Sequence, residues 1–153
     1  MTRRSRGREV ALQLLFQREH NAQIDRATLE QFVRDRLREE PIRKFCLFLY
    51  DGVVAQLADI DAKISAAAEN WRIARMPTVD RNILRLGAYE LLHMQDTPAA
   101  VAYDEAIELA RRYGTADSSA FVNGVLDRLA KNQAPGVSAE NSVPDSRPLT
   151  PDP

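Results

Sequence analysis

Tyr103-Asp104-Glu105-Ala106-Ile107-Glu108-Leu109-Ala110-Arg111-Arg112-Tyr113-Gly114, followed by Asp117-Ser118-Ser119-Ala120-Phe121-Val122-Asn123-Gly124-Val125-Leu126-Asp127, places two amphipathic patterns about one tight joint. In the first, Ala102, Ala106, Leu109, Ala110 and Tyr113 recur at helical spacing, and Glu108 is one turn ahead of Arg112, where the two can pair. Gly114 is expected to stop that helix by taking a left-handed C-cap conformation. Asp117 or Ser118 then caps the next helix, whose Phe121, Val122, Val125, Leu126 and Leu129 form one apolar stripe. Glycine inside a helix costs about 1 kcal/mol against alanine, so Gly124 predicts a close approach to that backbone.

Outward from this pair, every segment long enough to read is helical. The spacing predicts helices over 5–20, over 25–39 ahead of Pro41, and over about 42–58. A fourth starts at Asp59 or Asp61 and ends near Trp71; a fifth runs from Pro77 or Thr78 to His93. Pro98 opens the approach to the sixth, and the seventh covers Ser118 to about Lys131. Between Ile83 and Leu92 only Arg85 and Glu90 are charged, so the fifth helix needs apolar neighbours on several sides, with Gly87 admitting one closely. The expected architecture is all-α: about seven helices, an N-terminal bundle against a C-terminal one, without a sheet. Residues 1–132 form this domain. Residues 133–153, rich in proline and polar residues without apolar periodicity, form a tail expected to be disordered.

Composition bounds the function. Of the 153 residues 44% are hydrophobic and 28% charged, as in an ordinary soluble globular protein. The lone cysteine, Cys46, excludes an internal disulfide and sits in the apolar run Phe45–Tyr50, where a thiol is buried and inert. No apolar stretch approaches the roughly 20 residues of a membrane span, and the expected location is the cytoplasm. Glycine-rich phosphate loops and dinucleotide fingerprints are absent. His20 and His93 stand at helix ends without neighbouring ligands, so neither a metal nor another cofactor is expected, and the chain does not read as an enzyme.

The net charge of −1 conceals an asymmetry, because Arg3, Arg4, Arg6 and Arg8 all precede the first acid, Glu9. Guanidinium groups bind phosphate bidentately and stack on bases, so such an arm suits RNA; an incidental basic start is the alternative. Val10, Ala11, Leu14 and Leu15 define a core stripe, and Phe16 lies about 170° from its centre. Its ring either stacks on an unpaired base or is covered by a second layer of helices, as Leu12 one turn earlier suggests.

The stretches Arg8-Glu9 with Leu12-Gln13, Val79-Asp80-Arg81 leading to Leu84-Arg85 and Ala88-Tyr89-Glu90-Leu91, Asp104 to Ala110, and Phe121 to Asp127 resemble the NusB family of bacterial transcription antitermination factors. The resemblance spans about residues 3–131, apart from 21–44. It implies an all-helical protein that binds boxA RNA with a ribosomal small-subunit protein, NusE, and joins RNA polymerase and other Nus factors. By the same resemblance Arg4, Arg6 and Arg8 match an arginine-rich RNA-binding segment, and Phe16 stands where members often carry an RNA-contacting tyrosine. Asp117 and Phe121 match positions near RNA, Asp80 with its neighbour Arg81 matches a NusE-facing surface, and Ser5 replaces a basic residue of some members. Some members form homodimers that hide the RNA face. Others are the front part of ribosomal RNA cytosine methyltransferases, whose methyl-donor domain has no counterpart in this sequence. The alternative to an RNA-binding adaptor is a non-catalytic helical protein-interaction module whose basic arm is incidental.

Overall fold

The computed structural model describes residues 2–69 and 71–133, and the tail expected from 133 onward lies, past its first residue, outside them. The described residues contain seven α-helices and one 3-10 turn, without a strand: α1 Arg3–His20, α2 Arg26–Arg36, α3 Glu40–Ala55, α4 Leu57–Ala68, α5 Thr78–His93, α6 Ala99–Tyr113 and α7 Ser118–Gln133. The turn, Ile73–Arg75, joins α4 to α5. Pro41 lies in the first turn of α3, where its missing N–H has no helical partner to lose. Helix α4 stops earlier than its pattern suggests because Glu69 takes a positive φ of 56°, which ends the helical path.

Helix α5 is the hub. It packs against α1, α3, α4, α6 and α7, so its nearly complete apolar circumference is satisfied from both bundles. Ile83, Leu84, Leu86 and Ala88 are buried along it, and a Cβ on Gly87 would stand 2.9 Å from a Leu126 methyl, the close approach its sequence implied. The apolar stripes of α6 and α7 close over this face with Ala106, Leu109, Val122 and Leu126. Cys46 is buried, and burial together with the nearby Asp51 carboxylate pushes its thiol pKa up to about 12, consistent with an inert role.

Two glycine expectations change. Gly114 does end α6, but in an extended conformation (φ −96°, ψ −168°) rather than a left-handed one. Its constraint is space, since a Cβ would overlap the Ser118 side chain and lie 2.7 Å from the Ala110 carbonyl oxygen. At Gly124 no described residue comes close; a Cβ would first meet the Arg128 guanidinium at 3.6 Å, an ordinary contact. Gly52 has the tightest fit among the described glycines, with the Tyr89 ring occupying the place of its Cβ. Gly52→Ala is therefore expected to destabilise by about 1–3 kcal/mol, as overpacking does. Gly124→Ala is expected to be neutral or to stabilise by up to about 1 kcal/mol. Urea unfolding of both variants checks this pair of opposite signs.

Candidate nucleic-acid interface

Thr2 caps α1, its hydroxyl accepting from the Ser5 N–H at 3.0 Å, so the helix begins within the arginine arm and holds it rigidly. Arg3 and Arg4 are exposed. Arg3 reaches Glu39 at 3.4 Å, and Arg4 lays its guanidinium over the Phe45 ring, 4.4 Å from the centroid. Arg6, half-buried, donates to Glu9. The strip continues across the end of α2, where Arg36 and Arg38 join Arg3 and Arg6 around a groove of about 440 Å³. Arg36 and Arg38 carry no local motif, and only the fold brings them beside the arm.

Arg8 is a correction to that arm. It is 3% exposed and donates two hydrogen bonds of 2.8 Å to Glu90, itself 2% exposed, on the hub helix. Glu105 lies 3.5 Å away on α6, and Ser5 donates to the same carboxylate at 2.7 Å. Burial works against the charge on Arg8, but the Glu90 hydrogen bonds and field outweigh it and raise its pKa. With two carboxylates around it, Arg8 is part of the interior. Arg4 and Arg8 lie one turn apart on the same side of α1, both over the Phe45 ring. Arg4 at the open end of the helix is exposed, while Arg8, about 6 Å further along the axis, is covered by Glu90 and Glu105.

Glu9 links the arm to the α6–α7 joint. It accepts from Arg6, from Arg112 at 3.0 Å and from the Tyr113 hydroxyl. Burial opposes its charge, yet these donors hold its pKa below the ordinary carboxylate value. Beyond the joint, Asp117 is exposed, and Phe121 is half-buried with its edge against Trp71, ring centroids 5.7 Å apart. Trp71 is 49% exposed, a large aromatic surface that its position at a helix end did not signal. Phe16 is half-buried and packs on the core while Leu12 is wholly buried, so the second layer covers much of the far side of α1. Arg3, Arg4 and Arg6 thus share one edge, Phe121 and Asp117 another, and Phe16 belongs partly to the core.

Asp80 also needs correction, from exposed to 5% exposed. Its carboxylate accepts from the Ser118 hydroxyl at 2.8 Å and ties the start of α5 to the start of α7. Its neighbour Arg81 donates to Glu19 and to the Ile73 and Met76 carbonyls, while Arg85 bridges Glu19 and Asp61. The Asn82 amide completes the cluster on Glu19 at 2.9 Å. Chiefly through Arg81, and against partial burial, Glu19 keeps its pKa lowered.

Among the described residues six helices and a central seventh, with an arginine-led edge and a Trp71–Phe121 aromatic pair beside the start of α7, define a helical scaffold that presents surfaces. Among the described residues no group of three or more histidine, cysteine or acidic side chains is placed to hold a metal ion, and no helix is long and apolar enough to cross a membrane. The NusB family model matches residues 5–131, and the chain belongs to the NusB family. It is 47% identical over 132 residues to the transcription antitermination protein NusB of Sorangium cellulosum, covering 86% of this chain and 94% of that protein. The T. maritima NusB structure is 42% identical with a TM-score of 0.76, covering 88% of this chain and 94% of the other. A chain in the crystal structure of antitermination factors NusB and NusE in complex with dsRNA is 24% identical at a TM-score of 0.77, covering 86% of this chain and 98% of that one, which extends the likeness in fold.

Two outcomes follow from this geometry. Because the folded pKa of Glu19 lies below its ordinary value, the cluster stabilises fully above about pH 4.5 and the contribution fades as pH falls through the lowered value. Glu19→Gln should therefore flatten the acid side of the stability profile, read by thermal melts between pH 6 and 3. Asp80→Lys places an ammonium in a buried site against the Ser118 hydroxyl, so it should cost more than about 2 kcal/mol rather than disturb one partner selectively. Its circular-dichroism melting curve decides this.

Proposed function

We propose that this chain is an RNA-binding transcription antitermination factor that holds boxA RNA together with NusE at RNA polymerase, among other Nus factors in the cytoplasm, without catalysing a reaction. The observation behind this reading is the rigid edge of Arg3, Arg4 and Arg6 on a chain of the NusB family, extended by Arg36 and Arg38. Guanidinium groups fixed on a capped helix meet phosphates without first being ordered, and they contribute affinity by displacing counterions. A chain of the same fold comes from a structure of antitermination factors NusB and NusE in complex with dsRNA, which supports NusE and RNA as the classes of partner. Asp117 and Phe121 form a second RNA contact, with Trp71 fixing the Phe121 ring. The unit α1–α7 suffices, and the segment after Gln133 is dispensable for both partners.

The test is binding of a boxA-containing single-stranded RNA, with and without NusE, across a salt series. Replacing Arg3, Arg4 and Arg6 with alanine should weaken binding and reduce the log–log salt slope by about 2, from about 0.7 per phosphate contact, while the melting temperature holds. Unchanged affinity would return the arm to an incidental feature and the chain to a protein-interaction module.

A further inference from the structure

Phe48 is the most exposed large hydrophobic side chain among the described residues, at 56%, and the arginine edge does not account for it. It lies on α3, one turn after Lys44, beside an open groove of about 730 Å³. Arg4, Lys44, Phe45, Phe48, His93 and Asp96 are among the residues that line it. Two features set it apart from a chance gap. The Phe48 ring is braced by Tyr89, edge to face at 6.3 Å, and Tyr89 is in turn stacked on His93 at 5.2 Å. Beside it the exposed Arg4 holds its guanidinium carbon 4.4 Å from the centre of the Phe45 ring. The groove therefore offers an exposed ring braced by Tyr89 together with the cations of Arg4 and Lys44, against a single carboxylate at Asp96.

We infer that this groove is a subsite for unpaired nucleotides of the bound RNA, with a base stacked on Phe48 and phosphates held by Arg4 and Lys44. The inference rests on the RNA-binding reading above and extends it from the arm to the α3–α5 face. A single strand suits the surface better than a duplex, since stacking needs unpaired bases and a groove lined with cations follows a backbone. A protein partner would more naturally use a broad apolar patch depleted of charge at its centre, whereas Arg4 and Lys44 line this groove together with its aromatic rings. Arg4 is shared by both surfaces, so a strand leaving the arm enters the groove without a break.

The experiment uses the full chain with a fluorescently labelled single-stranded RNA that carries boxA and extends beyond it. Phe48→Ala should lower affinity roughly 5- to 150-fold, the loss of one stacked base, while Phe48→Tyr keeps it. Lys44→Ala should reduce the salt slope by about 0.7, one phosphate contact. Because Phe48 is largely exposed, melting temperatures are expected to stay near wild type. If Phe48→Ala binds like wild type while the Arg3/Arg4/Arg6 variant fails, the groove assignment is wrong and the arm stands. If wild type itself shows no salt-sensitive RNA binding, both readings fall. If Phe48→Ala spares RNA binding but abolishes self-association or NusE capture, the face is a protein interface and the assignment is overturned.

Discussion

The fork of hydrogen bonds from Arg8 to Glu90 joins the first helix to the central one inside the protein, and the position of every other surface group on α1 depends on it. A buried ion pair adds little net free energy against a well-packed apolar pair, because desolvation cancels most of the attraction. What it does supply is register. A one-residue slip of α1 would strand a guanidinium and a carboxylate without partners, a cost of several kcal/mol that an apolar contact would not impose. With Arg8 fixed, Thr2 caps the helix at its tip, Arg3 and Arg4 face solvent, and Glu9 meets Arg112 and Tyr113 at the α6–α7 joint.

The same residue type serves two purposes within six positions. Arg3 and Arg4 keep their hydration and meet carboxylates or rings only at the surface, so their charge remains available to a phosphate. Arg8 has given up its water to Glu90 and Glu105. The division follows from position along the helix: Arg4 sits at the open end of α1, and one turn further along the same side Arg8 is covered by α5 and α6. Acids on the fifth and sixth helices therefore decide which basic residues of α1 stay exposed.

That dependence explains what was legible in the sequence. The helices, the hub role of α5 and the joint at Gly114 come from periodicity and local chemistry, which short windows record. Gly87 was readable because a glycine in an apolar helix has few other uses. The partners of Arg8 and Asp80 were not readable, since Glu90 and Ser118 are dozens of residues away and each looks like an ordinary surface residue locally. Gly124 misled for the complementary reason: its cost in a helix is local, but the chain itself does not exploit the space. Phe48 was hidden inside an unbroken apolar run, where six hydrophobic residues in succession give no phase to tell the exposed position from its buried neighbours.

The central claim, that α1 is split between an interior anchor and an RNA-facing edge, is tested most directly by the salt dependence of RNA affinity in an Arg8→Met/Glu90→Leu double variant. Removing either partner alone costs about 3–5 kcal/mol, but replacing both with apolar groups should keep the fold. The folded double variant is expected to bind boxA-containing RNA with wild-type affinity and an unchanged salt slope. A slope shallower by about 0.7 with weaker binding would mean that Arg8 contacts a phosphate and that its burial is not what organises the arm.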